Sequence, residues 1–183
     1  SAFIKSMRGS DPNAAVYWLA RMVEGGEDPK FIARRMVILA AEDIGMANPN
    51  ALLLAQATFE AVNVIGWPES RIILSETAVY LATSQKSNAS YMAIENASGM
   101  VKEKGDLPVP LQIRNAPTKL MKDLGYHKDY KYAHSYSGNF VQDNFLPEEI
   151  RGTKFYEPGT NSREEEIRKR LAGMWKDIYD YDK

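Results

Sequence analysis

The sequence contains no cysteine, which removes disulfides, thiolate nucleophiles and cysteine-ligated zinc together. Histidine is nearly absent: only His127 and His134 are present, seven positions apart and outside any His-Glu-x-x-His arrangement. Both read as surface or half-buried side chains of a tyrosine-rich segment, not as metal ligands. Neither sign of charge dominates, since 23 basic side chains face 24 acidic ones for a net charge of -1. Global polybasic or polyacidic behaviour is thereby excluded. No long apolar run exists either. The longest strongly apolar stretch, Met36 to Ala41, is far too short to cross a bilayer, and the first residues lack a signal-peptide pattern.

Nucleotide motifs are missing as well. A phosphate-binding loop needs Gly-x-x-x-x-Gly-Lys-Ser/Thr so that backbone donors and the lysine wrap the phosphates. Gly99 to Gly105 has the wrong spacing and runs into Asp106. There is no Gly-x-Gly-x-x-Gly and no Gly-x-Ser-x-Gly elbow. Glu42-Asp43 supplies two carboxylates, but neighbours on a helix point about 100° apart and do not converge on one substrate. Asp43 is expected to bond the next turn or a nearby arginine. What remains is a soluble intracellular protein without catalytic machinery of its own.

What is present is helical punctuation. Asp11-Pro12, Asp28-Pro29 and Asn48-Pro49 each put a capping side chain before a proline, and Pro68 offers a fourth start. Gly25-Gly26, Gly45, Gly66 and Gly105 stand where a left-handed residue closes a helix. Ala15, Trp18, Leu19 and Met22 follow the i, i+3, i+4, i+7 spacing of a one-sided buried stripe, as do Ile32, Met36, Leu39 and Ala40. The segment from Asn50 to Ile65 is apolar nearly all round and is expected at the centre of a bundle. Helices are also expected over 69–83 and 87–104, the latter with Tyr91, Ile94 and Val101 on one face. Ser162 and Glu165 read as a capping box ahead of Ile167, Leu171, Met174, Trp175 and Ile178. Tyr130 to Phe145 is the best strand candidate, but Ser137-Gly138-Asn139 breaks it, so at most a short hairpin is expected. The fold class is all-α, a bundle of seven to nine helices. No side-chain pattern recurs between the units, so a solenoid is rejected. The expected organisation is one helical domain over residues 1–158, followed by an amphipathic C-terminal helix over 159–183 packed on it. Ser1, with Phe3 and Ile4 close behind, reads as the start of a piece excised from a longer chain.

One stretch stands out chemically. Residues 114–134 hold five basic side chains (Arg114, Lys119, Lys122, Lys128, Lys131) against Asp123 and Asp129, while the segments on either side are acidic. Tyr126, Tyr130 and Tyr132 interleave with the lysines, as on a surface that tracks phosphates and stacks bases. The same composition suits a subunit interface or a plain solvated face. A helix is expected over 117–124, with Leu120, Met121 and Leu124 anchoring it and Lys119 and Lys122 outward. Beyond Gly125, the tyrosine rings are expected to lie flat on the bundle. Arg114, Asn115, Lys119, Lys122, Tyr126, Lys128, Lys131, Tyr132 and His134 are the candidate contact residues for DNA or a partner.

Three long blocks in order, Gly9 to Gly45, Ala82 to Ala97 and Leu107 to His134, resemble the C-terminal part of the RarA/MgsA family of AAA+ ATPases. These are bacterial relatives of the Werner-helicase-interacting protein. The resemblance runs from about Ser1 to Tyr156; beyond Pro158 it extends only to an amphipathic charged helix. One departure is Ser135, where the family pattern leads one to expect an acidic residue after Tyr-Ala-His. The resemblance implies a helical oligomerisation domain like that of clamp-loader subunits, assembling as a homo-oligomer, most simply a tetramer. It places ATP and magnesium in an upstream core, so no cofactor and no catalytic residue carry over to this chain. It further implies DNA contact through the full-length protein, work in replication-fork maintenance, repair and recombination, and partners such as single-stranded-DNA-binding protein. The implied setting is the bacterial cytoplasm at the nucleoid, away from any membrane.

Overall fold

A computed structural model describes residues 1–181. Eight α-helices are present and no strand occurs among the described residues, so the chain is all-α. They are α1 (Ala2–Arg8), α2 (Pro12–Glu24), α3 (Pro29–Leu39), α4 (Asn50–Ile65), α5 (Ser70–Thr83), α6 (Ala89–Lys104), α7 (Lys119–Asp123) and α8 (Ser162–Trp175). The chain forms two compact units, one of Ser1–Ile94 with Tyr156–Glu166 and one of Glu95–Phe155 with Ile167–Lys183. These units cut the chain elsewhere than at the 158/159 boundary read from the sequence.

In the first unit, α3 packs on α4, α2 on α5, and α1 on α2. The predicted stripes supply part of its core, with Leu19 from α2 and Ile32, Met36 and Leu39 from α3 buried; Leu74 and Leu81 from α5, in no predicted stripe, are buried with them. Each such side chain contributes about 1.5–3 kcal/mol relative to exposure. Asp11 and Asp28 cap α2 and α3 as expected, accepting from the backbone N–H of Ala14 and Lys30 at 2.9 Å. The stop at Gly66 is left-handed, with φ of 70°.

Several expectations need correction. Asn48 does not cap α4; its side-chain amide donates instead to the Tyr80 hydroxyl at 2.9 Å and to Ser84 Oγ, and Pro49 occupies the cap position. Nor is α4 enclosed. Ala51, Ala55, Thr58 and Val62 form its buried edge, whereas Leu53 and Val64 are 68% and 84% exposed. Its all-round apolarity therefore marks an uncovered face and not a central position. At α8 the capping pair lies one residue earlier than Ser162/Glu165: the Glu164 N–H donates to Asn161 Oδ1 at 3.0 Å, and Asn161 Nδ2 donates to the Glu164 carboxylate at 2.5 Å.

The second unit is held by half-buried rings more than by an aliphatic core. Trp175 lies edge-on to Phe140 and Phe145 and tilted against Tyr179. The α8 stripe supplies Trp175 to this cluster, while the Tyr130 to Phe145 candidate forms 3-10 turns over Ala133–Ser135 and Ser137–Asn139.

Candidate nucleic-acid and partner interface

The basic, tyrosine-rich segment lies within the second unit. Thr118 caps α7, accepting from the Met121 N–H, and the helix spans only Lys119–Asp123, shorter than the 117–124 expected. Leu120 and Leu124 do not anchor it; both are exposed, Leu120 by 67%. A five-residue helix has little surface to bury, and the segment is positioned by its backbone instead. The Tyr126 N–H donates to the Met121 carbonyl at 3.0 Å and the His127 N–H to the Leu111 carbonyl at 2.9 Å. Gly125, His127 and Asp129 all have left-handed φ, at 84°, 62° and 62°. Their alternation with Tyr126 and Lys128 folds the chain into a tight knuckle.

That knuckle brings part of the predicted set together. An open cleft of about 500 Å³ runs along Pro108–Arg114 and Asn144–Arg151. A separate one of about 450 Å³ is lined by Asn115, Ala116, Lys122, Tyr126, His127 and Lys128. Four candidate residues thus share one concavity: Asn115, Lys122, Tyr126 and Lys128. Arg114 is committed elsewhere, with Nε donating to the Val109 carbonyl at 2.6 Å and its guanidinium 5.0 Å over the Tyr126 ring. It packs on a ring that lines the cleft. Lys119, Lys131, Tyr132 and His134 are exposed but are not among the lining residues. The rings do not lie flat against a support. Tyr132 is 59% exposed, tilted against His134, and Tyr130 stacks on His127 at 4.8 Å between centroids. His134 Nδ1 lies 3.3 Å from Asn139 Oδ1. Among the described residues, no carboxylate pairs with Lys119, Lys122, Lys128 or Lys131.

A second polar constellation, in the first unit, escaped the sequence reading except for Asp43. Ala40–Ile44 is a single π-turn that continues α3, and it presents Asp43 to Arg8, whose Nε donates to Oδ1 at 2.7 Å. Glu42 lies 3.5 Å from the same guanidinium. The pair of carboxylates therefore serves an arginine, as expected for Asp43. The Ser87 N–H donates to the Asp43 carbonyl at 2.8 Å. Next to it, Lys86 spends its three donors on the carbonyls of Ser84 and Ala82 and on Ser10 Oγ, at 2.6, 3.0 and 3.1 Å. Burial lowers the Lys86 pKa, and the nearby Asp43 charge opposes that shift.

Glu164 completes the constellation and is fully buried. Burial alone pushes its carboxyl up. Hydrogen bonds from Ser87, Asn161, the Gly159 backbone and Tyr156 outweigh that, and the net shift is downward. Gly159 is required here, since a Cβ would stand 2.6 Å from Glu164 Oε2. Two of the blocks that carry the family resemblance, Gly9 to Gly45 and Ala82 to Ala97, therefore meet at Asp43, Lys86 and Ser87. The only sequence signal for Glu164 was its place three residues after a good capping side chain. These groups hold one another, and their chemistry is structural.

Comparison with known proteins gives a consistent answer. The family model described as MgsA AAA+ ATPase C terminal matches residues 9–175. An uncharacterised protein of Thermotoga maritima is 49% identical over 98% of this chain and 29% of its own length. Replication-associated recombination protein A of Coxiella burnetii is 48% identical over 93% of the chain and 39% of its own length. ATPase WRNIP1 of Dictyostelium discoideum is 46% identical over 86% of the chain and 18% of its own length. The chain thus spans well under half the length of these relatives.

Proposed function

Given that the chain belongs to the C-terminal family of the MgsA AAA+ ATPases, we propose that it is the domain through which such an ATPase assembles with copies of itself, most simply as a tetramer. One observation carries this reading: apolar side chains stand exposed along one face of α4, whose opposite edge already fills a core, and along one face of α6. On α4, Leu53, Ala57 and Val64 fall within about 40° of one another around the axis and all are exposed. On α6, Tyr91, Ile94 and Val101 share the face expected from the sequence, and that face is exposed too. Uncovered apolar surface of this kind marks association sites, and closed two-fold assemblies are the common outcome. In AAA+ proteins neighbours share ATP sites, so a helical collar that fixes the neighbours fixes the geometry of hydrolysis. ATP and magnesium belong to the upstream core under this proposal, and the domain itself binds neither. The setting is replication-fork maintenance, repair and recombination in the bacterial cytoplasm at the nucleoid.

Light scattering with the 183-residue chain at tens of micromolar tests the proposal. A mass several times that of one chain is expected, falling to one chain in Leu53→Lys/Val64→Lys or in Ile94→Lys. A strict monomer overturns it. A second reading, contact with DNA or with an acidic partner such as single-stranded-DNA-binding protein, is supported by the lysines of 119–131 that lack carboxylate partners.

A further inference from the structure

We propose that the 115–132 surface of the second unit is a binding site for single-stranded nucleic acid, with phosphates held in the Lys122/Lys128 cleft and bases stacked on the exposed rings beside it. This rests on the second reading above and names its ligand class. Three observations point the same way.

The first is charge without compensation. Lys122 and Lys128 line one cleft, and no described carboxylate pairs with either. Asn115 adds an amide, which donates to phosphate or to a base edge. The second is rigidity. The left-handed residues at 125, 127 and 129, the His127 N–H bond to Leu111 and the Arg114–Tyr126 contact fix the cleft wall before any ligand arrives. A site already ordered loses less entropy on binding.

The third separates single strands from duplexes. His127 and Tyr130 form an exposed stacked pair, and Tyr132 is more than half exposed beside His134. A duplex keeps its base faces inside its own stack and offers an outside surface only phosphates and groove edges. Free ring faces reward unstacked bases alone. Lysines by themselves would serve a duplex, a single strand or an acidic peptide equally, whereas the rings favour one of the three.

Fluorescence anisotropy of the 183-residue chain tests this with a labelled 20-nucleotide oligo-dT, the matching labelled duplex, and labelled polyglutamate, each across a salt series. The single strand is expected to bind several-fold more tightly than the duplex. Tyr130→Ala/Tyr132→Ala should weaken the single strand by about tenfold or more and leave the duplex unchanged. Tyr130→Phe/Tyr132→Phe keeps the ring faces and should restore binding. Lys122→Gln/Lys128→Gln should weaken both ligands and flatten the salt dependence. Circular dichroism and the light-scattering mass, unchanged in each variant, guard against misfolding. Equal affinity for strand and duplex with inert tyrosine changes overturns the stacking site while leaving a charge-only DNA contact standing. Binding of neither nucleic acid overturns both, and polyglutamate bound in their place assigns the patch to an acidic protein instead.

Discussion

Arg8 Nε donates to Asp43 Oδ1 at 2.7 Å, joining the first helix to the π-turn that ends the third. The two sides of this bond differ. Asp43 is 12% exposed by side chain and Arg8 47%, so loss of the arginine strands a carboxylate that water barely reaches. Removing Asp43 frees an arginine that water can solvate, but it also strips Lys86 of its nearest opposing charge. Arg8→Met should cost about 1.5–3 kcal/mol, the range for hydrogen bonds to charged groups. Arg8→Met/Asp43→Ala should cost less than the sum of the single changes, read from urea midpoints in a double-mutant cycle. Strict additivity would show that the pair is solvated and contributes nothing.

The Glu164 carboxyl makes stability depend on pH in one direction. Its folded pKa lies below its unfolded value despite burial, because four donors converge on the ionised form. A group lowered in this way contributes stability that is fully present above the ordinary glutamate pKa of about 4.3. That contribution is lost as pH falls through the lower, folded value. The urea midpoint of the unaltered chain should therefore drop as pH falls below about 4.3, and Glu164→Gln should flatten this part of the profile. Gly159→Ala attacks the same carboxylate from outside, since its Cβ would stand 2.6 Å from Oε2, and should reproduce the flattening. Identical acid profiles for all three proteins would show that Glu164 is not the group that titrates.

The helices were legible where the sequence states a local rule: an Asp-Pro pair capped both α2 and α3, and i, i+3, i+4 stripes named the α2 and α3 part of the core. Rules about which face meets what were less legible. An apolar circumference reads as centrality, yet in α4 the buried edge is the small-residue side, Ala51, Ala55 and Thr58, and the larger Leu53 and Val64 face outward. Periodicity cannot show which side of such a helix finds a neighbour within the chain. At the candidate site, the residue types were legible and their grouping was not. Arg114 and Lys122 look alike as charges, but a cation–π contact and a carbonyl bond remove Arg114 from the available set. Glu164 was hidden because its partners Ser87 and Tyr156 reach it through the fold, where no local spacing announces them.

Within the first core, Thr58 and Thr77 join α4 to α5 through their hydroxyls, and the proton count makes the pair unequal. Each hydroxyl carries one hydrogen. Thr58 Oγ1 donates to the Leu54 carbonyl of its own helix at 2.9 Å, so the hydrogen between the two threonines comes from Thr77. Both side chains are buried, at 2% and 1% exposed, and water cannot replace a lost partner. Thr58→Val leaves the Thr77 donor without its acceptor and should cost about 1–3 kcal/mol, the penalty for a buried unsatisfied group. Thr77→Val leaves Thr58 still bonded to Leu54 and should cost no more than about 1 kcal/mol. The double valine variant removes both polar groups at nearly constant shape, and its cost should fall below the sum of the two. Urea unfolding of the three variants measures this directly. Equal costs for the single changes, or a double change that simply adds them, would mean that Thr77 has another acceptor and that the bond between the helices contributes little.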